Sequence, residues 1–358
     1  MSRFFIADIG AGTMDILYYD TKSGTHYKTV ARSPVLTLAE QVAKAHGNIL
    51  ITGCEMGGGS LSQILKERAQ KADVVMSVSA AATIHHDQEK VKSLGIRIVG
   101  DDEAEQLRQH DAYHCVSIGD LEPERLEQIV RAMGVPFSFD VVGLCVQDHG
   151  VPPRGMSHLD YRHHIFKASF DARPFPHAVL YRGDEIPETL NRLTCIGKEA
   201  AKLPAAEVYV MDSGMAAILG ASMDPLARHK RKIMVLDVAT SHTVGAAIED
   251  GEIAGFFEYH TRDITLERLE DLLEKLPEGN LEHSQILKEG GHGAYIRKAL
   301  GFGAIEMIVA TGPKRRLVRN SRLSITLGAP LGDNMMTGTV GVLEAICRRK
   351  GLEPMDYV

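Results

Sequence analysis

The sequence predicts an α/β protein built from two similar lobes. Two observations lead there. An apolar strand, a turn carrying Asp and Gly, and a second apolar strand occupy Phe4 to Asp20; the same order returns at Ile233 to Ile248, closed by Glu249-Asp250-Gly251-Glu252. Around these hairpins, short apolar runs alternate with helical patterns, as in chains that layer helices on a sheet. Two such hairpins imply two lobes, each offering a phosphate-binding turn to one ligand.

The first turn reads Asp8-Ile9-Gly10-Ala11-Gly12-Thr13-Met14-Asp15. Gly10 and Gly12 are expected to take backbone angles closed to residues with a Cβ, and to let main-chain N–H groups approach an anion. Thr13 adds a hydroxyl. Asp8 stands where a carboxylate could hold Mg²⁺ through water, since Mg²⁺ prefers oxygen ligands and keeps part of its hydration shell. Gly and Asp are also default turn residues, so an ordinary hairpin fits the same letters.

Residues 28 to 47 read as a strand and then a helix, and Ile49 to Gly53 as a short buried strand. The Gly57-Gly58-Gly59 turn and the amphipathic pattern after it make either an anion site at a helix N-terminus or a tight turn packed on a neighbour. Cys54 is then either reactive at a positive helix end or buried and inert. Val74 to Val78 is a strand, Ala80 to Ser93 reads as mostly helical with His85-His86-Asp87 inside, and Ile96 to Val99 and Cys115 to Ile118 are strands. Asp120-Leu121-Glu122-Pro123 opens a helix through Met133, with acidic residues at its positive end.

Phe139 to Val146 is a continuous apolar run, the mark of a central strand. It ends at Gln147-Asp148-His149-Gly150, and the C-terminal edge of such strands is where α/β sheets place ligands. Asp148 or His149 could act as general base there. Arg154, His158, Arg162, His163 and His164 follow without a diagnostic metal-ligand spacing. Pro152, Pro153, Pro174 and Pro176 bracket a stretch that reads as loop-rich, a lid or an insertion. Ile186 to Leu203 is helical and Val208 to Met211 a strand. Arg228 to Lys232 is a basic run that reads as a solvated loop. Leu266 to Leu276 is an amphipathic helix, Gly290-Gly291-His292-Gly293 a turn expected to precede another helix, and Thr337 to Lys350 a last helix packed between the lobes.

A chain of 358 residues with 44% hydrophobic and 24% charged content is long enough for two lobes with their own cores. No apolar run approaches the length of a membrane span, and the N-terminus lacks a signal-peptide layout, so a cytoplasmic protein without membrane partners is expected. The net charge of −7 argues against nonspecific nucleic-acid binding. The odd, scattered set Cys54, Cys115, Cys145, Cys195 and Cys347 fits reduced thiols.

The stretch Asp8 to Ile16 resembles the first phosphate loop of the actin, sugar kinase and heat-shock chaperone ATPase superfamily. Further segments follow in that superfamily's order. Met211 to Ala221 resembles the helix that connects the lobes, and Asp237 to Ile248 the second phosphate loop. Ile308 to Pro313 resembles the adenosine-contacting strand and turn. Gly328 to Asp333, with the apolar helix after it, resembles the second connecting helix. The resemblance implies an α/β fold of two ribonuclease H-like lobes in an actin-like ATPase architecture with an interlobe cleft. The N-terminal lobe is expected over 1–204, including a family-specific middle segment, and the C-terminal lobe over 205–358. It further implies ATP and Mg²⁺ as cofactors. Asp8 and Asp237 would hold the metal; Gly10, Gly12, Thr13, Thr240 and Ser241 would cradle phosphates; Gly312 would lie beneath adenosine.

The second loop departs from that pattern. Ala239 and Thr240 stand where Gly is expected, with a Cβ in the way of a close phosphate approach. A second acidic residue is replaced near Val244, and His242 intrudes. The loop then binds nucleotide with altered handling of the terminal phosphate, has become a sensor, or takes another phosphorylated ligand.

Gly57-Gly58-Gly59, Gln147-Asp148-His149-Gly150, Thr311-Gly312-Pro313-Lys314-Arg315 and Pro330-Leu331-Gly332-Asp333 also resemble a narrower prokaryotic family whose members carry the label pyruvate formate-lyase activating enzyme. The residues do not support that activity. A radical S-adenosylmethionine enzyme holds its iron–sulfur cluster with three closely spaced Cys, and no two of the five are neighbours here. Three functions remain open: an ATP-binding, Mg²⁺-dependent phosphotransferase or ATPase acting on a small-molecule or protein acceptor, a noncatalytic nucleotide-dependent switch that recruits a partner protein, and a metal-dependent hydrolase or C1-metabolism enzyme built on the His-rich middle.

Overall fold

The structure, a computed structural model, describes residues 2–353 and 355–357. β1 (Arg3–Ile9), β2 (Thr13–Asp20) and β3 (Thr25–Arg32) form an antiparallel meander. A smaller unit follows, with β4 (Ile49–Gly53), β5 (Val74–Ser77), β6 (Ile96–Val99) and β7 (His114–Ile118) in a parallel sheet ordered β6-β5-β4-β7. The chain then returns to the first sheet with β8 (Phe139–Val146), β9 (Leu180–Arg182) and β10 (Ala205–Asp212), giving the order β3-β2-β1-β8-β10-β9.

The second lobe holds β11 (Lys232–Val238), β12 (His242–Glu249), β13 (Glu252–His260), β14 (Gly293–Ile296), β15 (Met307–Thr311) and β16 (Ile325–Leu327), ordered β14-β13-β12-β11-β15-β16. In both lobes a meander of three antiparallel strands continues through its first member into two parallel ones, so β3-β2-β1-β8-β10 matches β13-β12-β11-β15-β16. The protein is thus α/β with two ribonuclease H-like lobes, in the duplicated order that the sequence resemblance implies.

Two helices join the lobes. Ser213–Ser222 starts at Asp212, whose carboxylate caps it by accepting from Gly214 and Met215 N–H. Thr337–Lys350 crosses it backbone to backbone: a Cβ on Gly220 would stand 1.8 Å from the Thr337 carbonyl oxygen, and one on Gly341 1.8 Å from that of Ala216. Ile6, Met215, Ile218, Val235, Val340 and Ile346 share one apolar core around this crossing.

Four expectations are corrected. The lobe boundary does not fall at residue 204, because β10 hydrogen-bonds to β8 within the first sheet; the chain crosses over in the helix that follows. The Pro-bracketed stretch is not loop-rich: Ser157 caps a helix over His158–Ala172, and the prolines lie outside it. Residues 80–93 are two short helices with His85 and His86 between them, since Asp87 starts a new helix by accepting from Glu89 N–H. The turn at Gly290 to Gly293 is followed by β14, not a helix, because this segment pairs with β13. No helix among the described residues is long and apolar enough to cross a membrane.

Candidate functional site

The two hairpin turns have one construction. Asp8 begins the first and its register partner is Asp15; Asp237 begins the second and its partner is Val244. The first turn closes with Gly10 N–H donating to the Thr13 carbonyl at 2.9 Å, the second with Ala239 N–H donating to the His242 carbonyl at 3.0 Å. Directly after β3, Ser33 donates its hydroxyl to the Gly10 carbonyl at 2.6 Å and its N–H to the Gly12 carbonyl at 3.1 Å. Directly after β13, Thr261 donates its hydroxyl to the Ala239 carbonyl at 2.8 Å and its N–H to the Ser241 carbonyl at 2.9 Å. Each turn therefore has two carbonyls drawn to one hydroxyl residue.

This geometry corrects the expected role of the glycines. Neither Gly10 nor Gly12 has a positive φ. Ala239 occupies the place of Gly10 in the same hydrogen-bonded frame, so its Cβ does not disturb the turn. Gly12 matters for proximity instead: a Cβ there would lie 3.1 Å from Thr240 Cγ2, so the tips of the two turns touch. Gly312 does need its residue type, with φ at +87° and a Cβ position only 2.7 Å from Asp237 Oδ1.

Between the turns lies a cleft of about 850 Å³. Asp8, Gly10, Thr13, Asp237, Thr240, Ser241 and Gly312 line it, brought together from segments more than two hundred residues apart. Burial pushes the Asp8 carboxyl up to about 7, the charges of Asp237 and Asp212 add to this, and a hydrogen bond with Cys145 opposes it. Burial, with the charge of Asp8, pushes Asp15 up to about 8, and burial raises Asp237 to about 6 against a hydrogen bond from Thr311. Asp15 Oδ1 is buried with no hydrogen-bond partner. Carboxylate oxygens of this kind suit a hydrated divalent cation, bound in part through water because the three do not converge on one point.

Asp148 and His149 separate in space. His149 lines the cleft. Burial and then the charge of Arg162 pull its basicity well below the usual imidazole range. Asp148 is not among the residues lining that cleft; its oxygens accept from Gly150 N–H at 2.7 Å and Leu193 N–H at 2.9 Å, the latter in the first turn of the helix Asn191–Ala200. Its carboxylate tethers the end of β8 to that helix.

The wall contributed by the smaller unit carries a polar chain that sequence reading did not connect. Glu55 Oε2 stands 2.9 Å from His86 Nε2, His86 Nδ1 stands 3.0 Å from His158 Nε2, and Asn191 donates to Glu55. The neighbouring glycines are set by close packing: a Cβ on Gly57 would meet Val35 and Arg192 below 3.0 Å, and one on Gly58 the Thr83 carbonyl at 2.9 Å. Arg192 and Asp120 pair beneath them, with Gly57 N–H donating to Asp120. Cys54 is half-buried, and its thiol is pushed up by hydrogen bonding with Cys195 and by burial, the direction opposite to that of a reactive thiolate.

Comparison with known proteins adds a family. The family model described as "Putative pyruvate format-lyase activating enzyme (DUF1786)" matches residues 56–317, well over half of the chain. The chain belongs to the DUF1786 family. No curated protein matches its sequence. Among solved structures, this DUF1786 chain is similar to ROK hexokinase from Thermus thermophilus, with 12% identity, 98% of this chain and 99% of that chain covered, and a TM-score of 0.35. It is also similar to the ethanolamine utilization protein EutJ from Carboxydothermus hydrogenoformans, with 10% identity, 94% and 88% covered, and a TM-score of 0.32. A third is the PPX-GPPA enzyme of Aquifex aeolicus, with 9% identity, 87% and 67% covered, and a TM-score of 0.27.

Iron–sulfur chemistry of the kind the family description implies needs three convergent cysteines. In the DUF1786 chain, the one convergent group of three metal-type donors among the described residues is made of His242, His260 and His292. It is not drawn from the His-rich middle, where His158 is engaged with His86 and His163 stacks on His283 at 3.6 Å. His242 drew notice in the sequence only as an intruder in the second loop. His260, Ser33 and Thr261 carry no local signal, since each acts across strands that pair at long range.

Proposed function

We propose that the cleft binds ATP with Mg²⁺ and transfers or hydrolyses its terminal phosphoryl group, with a small molecule or a protein as acceptor. The observation that carries this reading is the shared construction of the two turns, whose tips meet at Gly12 and Thr240. With their carbonyls tied back to Ser33 and Thr261, the turns are suited to present N–H groups to an anion lying between them. Thr13, Thr240 and Ser241 add hydroxyl donors along the same cleft. Gly312, just after β15, lines the cleft where the adenosine moiety would lie.

Asp8 and Asp237 are the residues that would hold Mg²⁺, in part through water, with Asp15 beside Asp8; when bound, the ion neutralises charge on the phosphate oxygens. His149 lines the cleft with an imidazole held neutral by burial and by Arg162, placed to accept a hydrogen bond from an acceptor hydroxyl. The chain Glu55–His86–His158, with Glu55 and His86 on the smaller unit and His158 at the start of the helix His158–Ala172, lines the same cleft and supports an acceptor site there. Phosphoryl transfer asks a protein mainly for positioning and charge stabilisation, which a cleft between two rigid lobes can supply.

The test is calorimetry with ATP, with and without Mg²⁺, on the wild type and on Asp8→Asn. Saturable binding that needs Mg²⁺ and weakens at least about tenfold in the variant, with the circular dichroism spectrum unchanged, is expected. A folded wild type that takes up no nucleotide overturns the reading.

A second reading, a nucleotide-dependent switch without turnover, is favoured by Val244. It stands at the position that Asp15 fills in the first hairpin, and the nearest cross-strand carboxylate, Glu258, is committed to Arg162 and Gln147. Nucleotide binding that changes protease sensitivity, with no phosphate release above background, would select this reading over the enzymatic one.

A further inference from the structure

In the second lobe, the shared hairpin frame carries three histidines that the frame itself does not require. His242 and His260 are register partners across β12 and β13, so their side chains leave the same face of the sheet. The equivalent pair in the first lobe is Thr13 and Arg32. His292 joins them from the start of β14, held by its N–H donating to the Glu258 carbonyl at 2.8 Å. One ligand atom from each of the three rings lies within 4.8 Å of the other two, and all three residues line the cleft.

We propose that His242, His260 and His292 bind a divalent transition-metal ion of the Zn²⁺ class, with a remaining coordination position open to the cleft. The donor set suits such an ion, because imidazole nitrogen is a borderline ligand that Zn²⁺ and its neighbours prefer and Mg²⁺ does not. His260 Nε2 and His292 Nε2 stand 3.0 Å apart. Tetrahedral ligands at 2.0–2.1 Å from a metal are separated by about 3.3 Å, so small ring rotations bring the trio into place.

Two further observations point to an ion rather than to a plain hydrogen-bonded cluster. His242 Nε2 is buried without a hydrogen-bond partner, and His292 is 7% exposed. Two of the rings also have an orienting neighbour, as metal-bound histidines do. Ser241 Oγ stands 2.9 Å from His242 Nδ1, and Glu258 Oε1 lies 3.8 Å from His292 Nδ1. Arg162 and Gln147 hold Glu258 in turn. A three-histidine set with an open position leaves room for water or for an anionic oxygen of whatever occupies the cleft. The inference does not rest on the nucleotide reading, since the ligands and the orienting groups are all protein side chains.

The test uses the full chain, stripped with a chelator and titrated with Co²⁺ and then Zn²⁺ in the absence of nucleotide. One Co²⁺ per chain with visible absorption bands of a nitrogen-ligated, low-coordinate ion is expected, displaced by one Zn²⁺. His242→Ala, His260→Ala and His292→Ala should each weaken binding about 100-fold or more, with His260→Gln as a milder variant should the alanine forms fail to fold. His163→Ala and Asp8→Asn should leave Zn²⁺ binding unchanged, the latter even if it abolishes nucleotide uptake. A folded wild type that binds no ion, or binding that survives in every folded variant of the trio, overturns the proposal.

Discussion

Ser33 and Thr261 perform the same task in the two lobes. Each follows the last strand of its meander, and each ties two carbonyls of a phosphate-type turn with one hydroxyl and one N–H. The hydroxyls act on Gly10 and Ala239, which are themselves equivalent. Removing one hydroxyl leaves a turn carbonyl short of a partner, which costs about 1 kcal/mol. Ser33→Ala and Thr261→Ala should each lower stability by about that amount and weaken ATP binding, and Thr261→Ser should restore both. Urea midpoints read beside calorimetry check this; unchanged ATP affinity in both alanine variants would separate the turns from ligand binding.

Asp148 is expected to matter for folding rather than for proton transfer. Its two oxygens accept from Gly150 and Leu193 N–H. Asp148→Ala leaves both donors buried and should destabilise by about 1–3 kcal/mol. His149→Gln should instead leave the melting temperature within a few degrees and lower turnover. A stable Asp148→Ala protein with no activity would return Asp148 to the catalytic role that the sequence pattern implies.

Arg162 ties the lobes together beneath the cleft. It is buried, pairs in bidentate fashion with Asp212 at 2.6 Å and 3.1 Å, and reaches Glu258 of the second lobe at 3.1 Å. Removing it strands two buried carboxylates, so Arg162→Met should cost about 3–5 kcal/mol. The double change Arg162→Met with Glu258→Gln should recover part of that loss. A double-mutant cycle in denaturant measures the coupling, and additive losses would deny it.

Stability should fall as pH rises from about 4.5 to about 7, in part because of Glu199. Burial, and then the charge of Asp120, raises its carboxyl to about 7. A raised acid pKa means that the folded state holds the proton more tightly, so the contribution is complete below the unfolded value and is lost as pH passes through the folded one. Glu199→Gln should match the wild type near pH 4.5 and exceed it by about 1–3 kcal/mol at pH 7.5, the lower figure allowing for partial exposure. Parallel urea curves at the two pH values would contradict this.

The hairpins, the duplication and the two joining helices were legible in the sequence, because alternating and continuous apolar runs are local consequences of strands with one or two buried faces. Asp8, Gly12, Asp237 and Gly312 were legible for the same reason, each sitting at the end of such a run. What surrounds them was not. Ser33 and Thr261 look like ordinary hydroxyl residues until β3 and β13 fold back beside the turns. His260 becomes the neighbour of His242 only through the register of β12 and β13, and Asp148 is withdrawn from the cleft by a helix more than forty residues further on. Residue spacing along the chain was enough to mark the two hairpins and their turns, whereas β14 took its form from pairing with β13. Which polar groups face one another followed from strand pairing and helix docking between segments that share no local pattern.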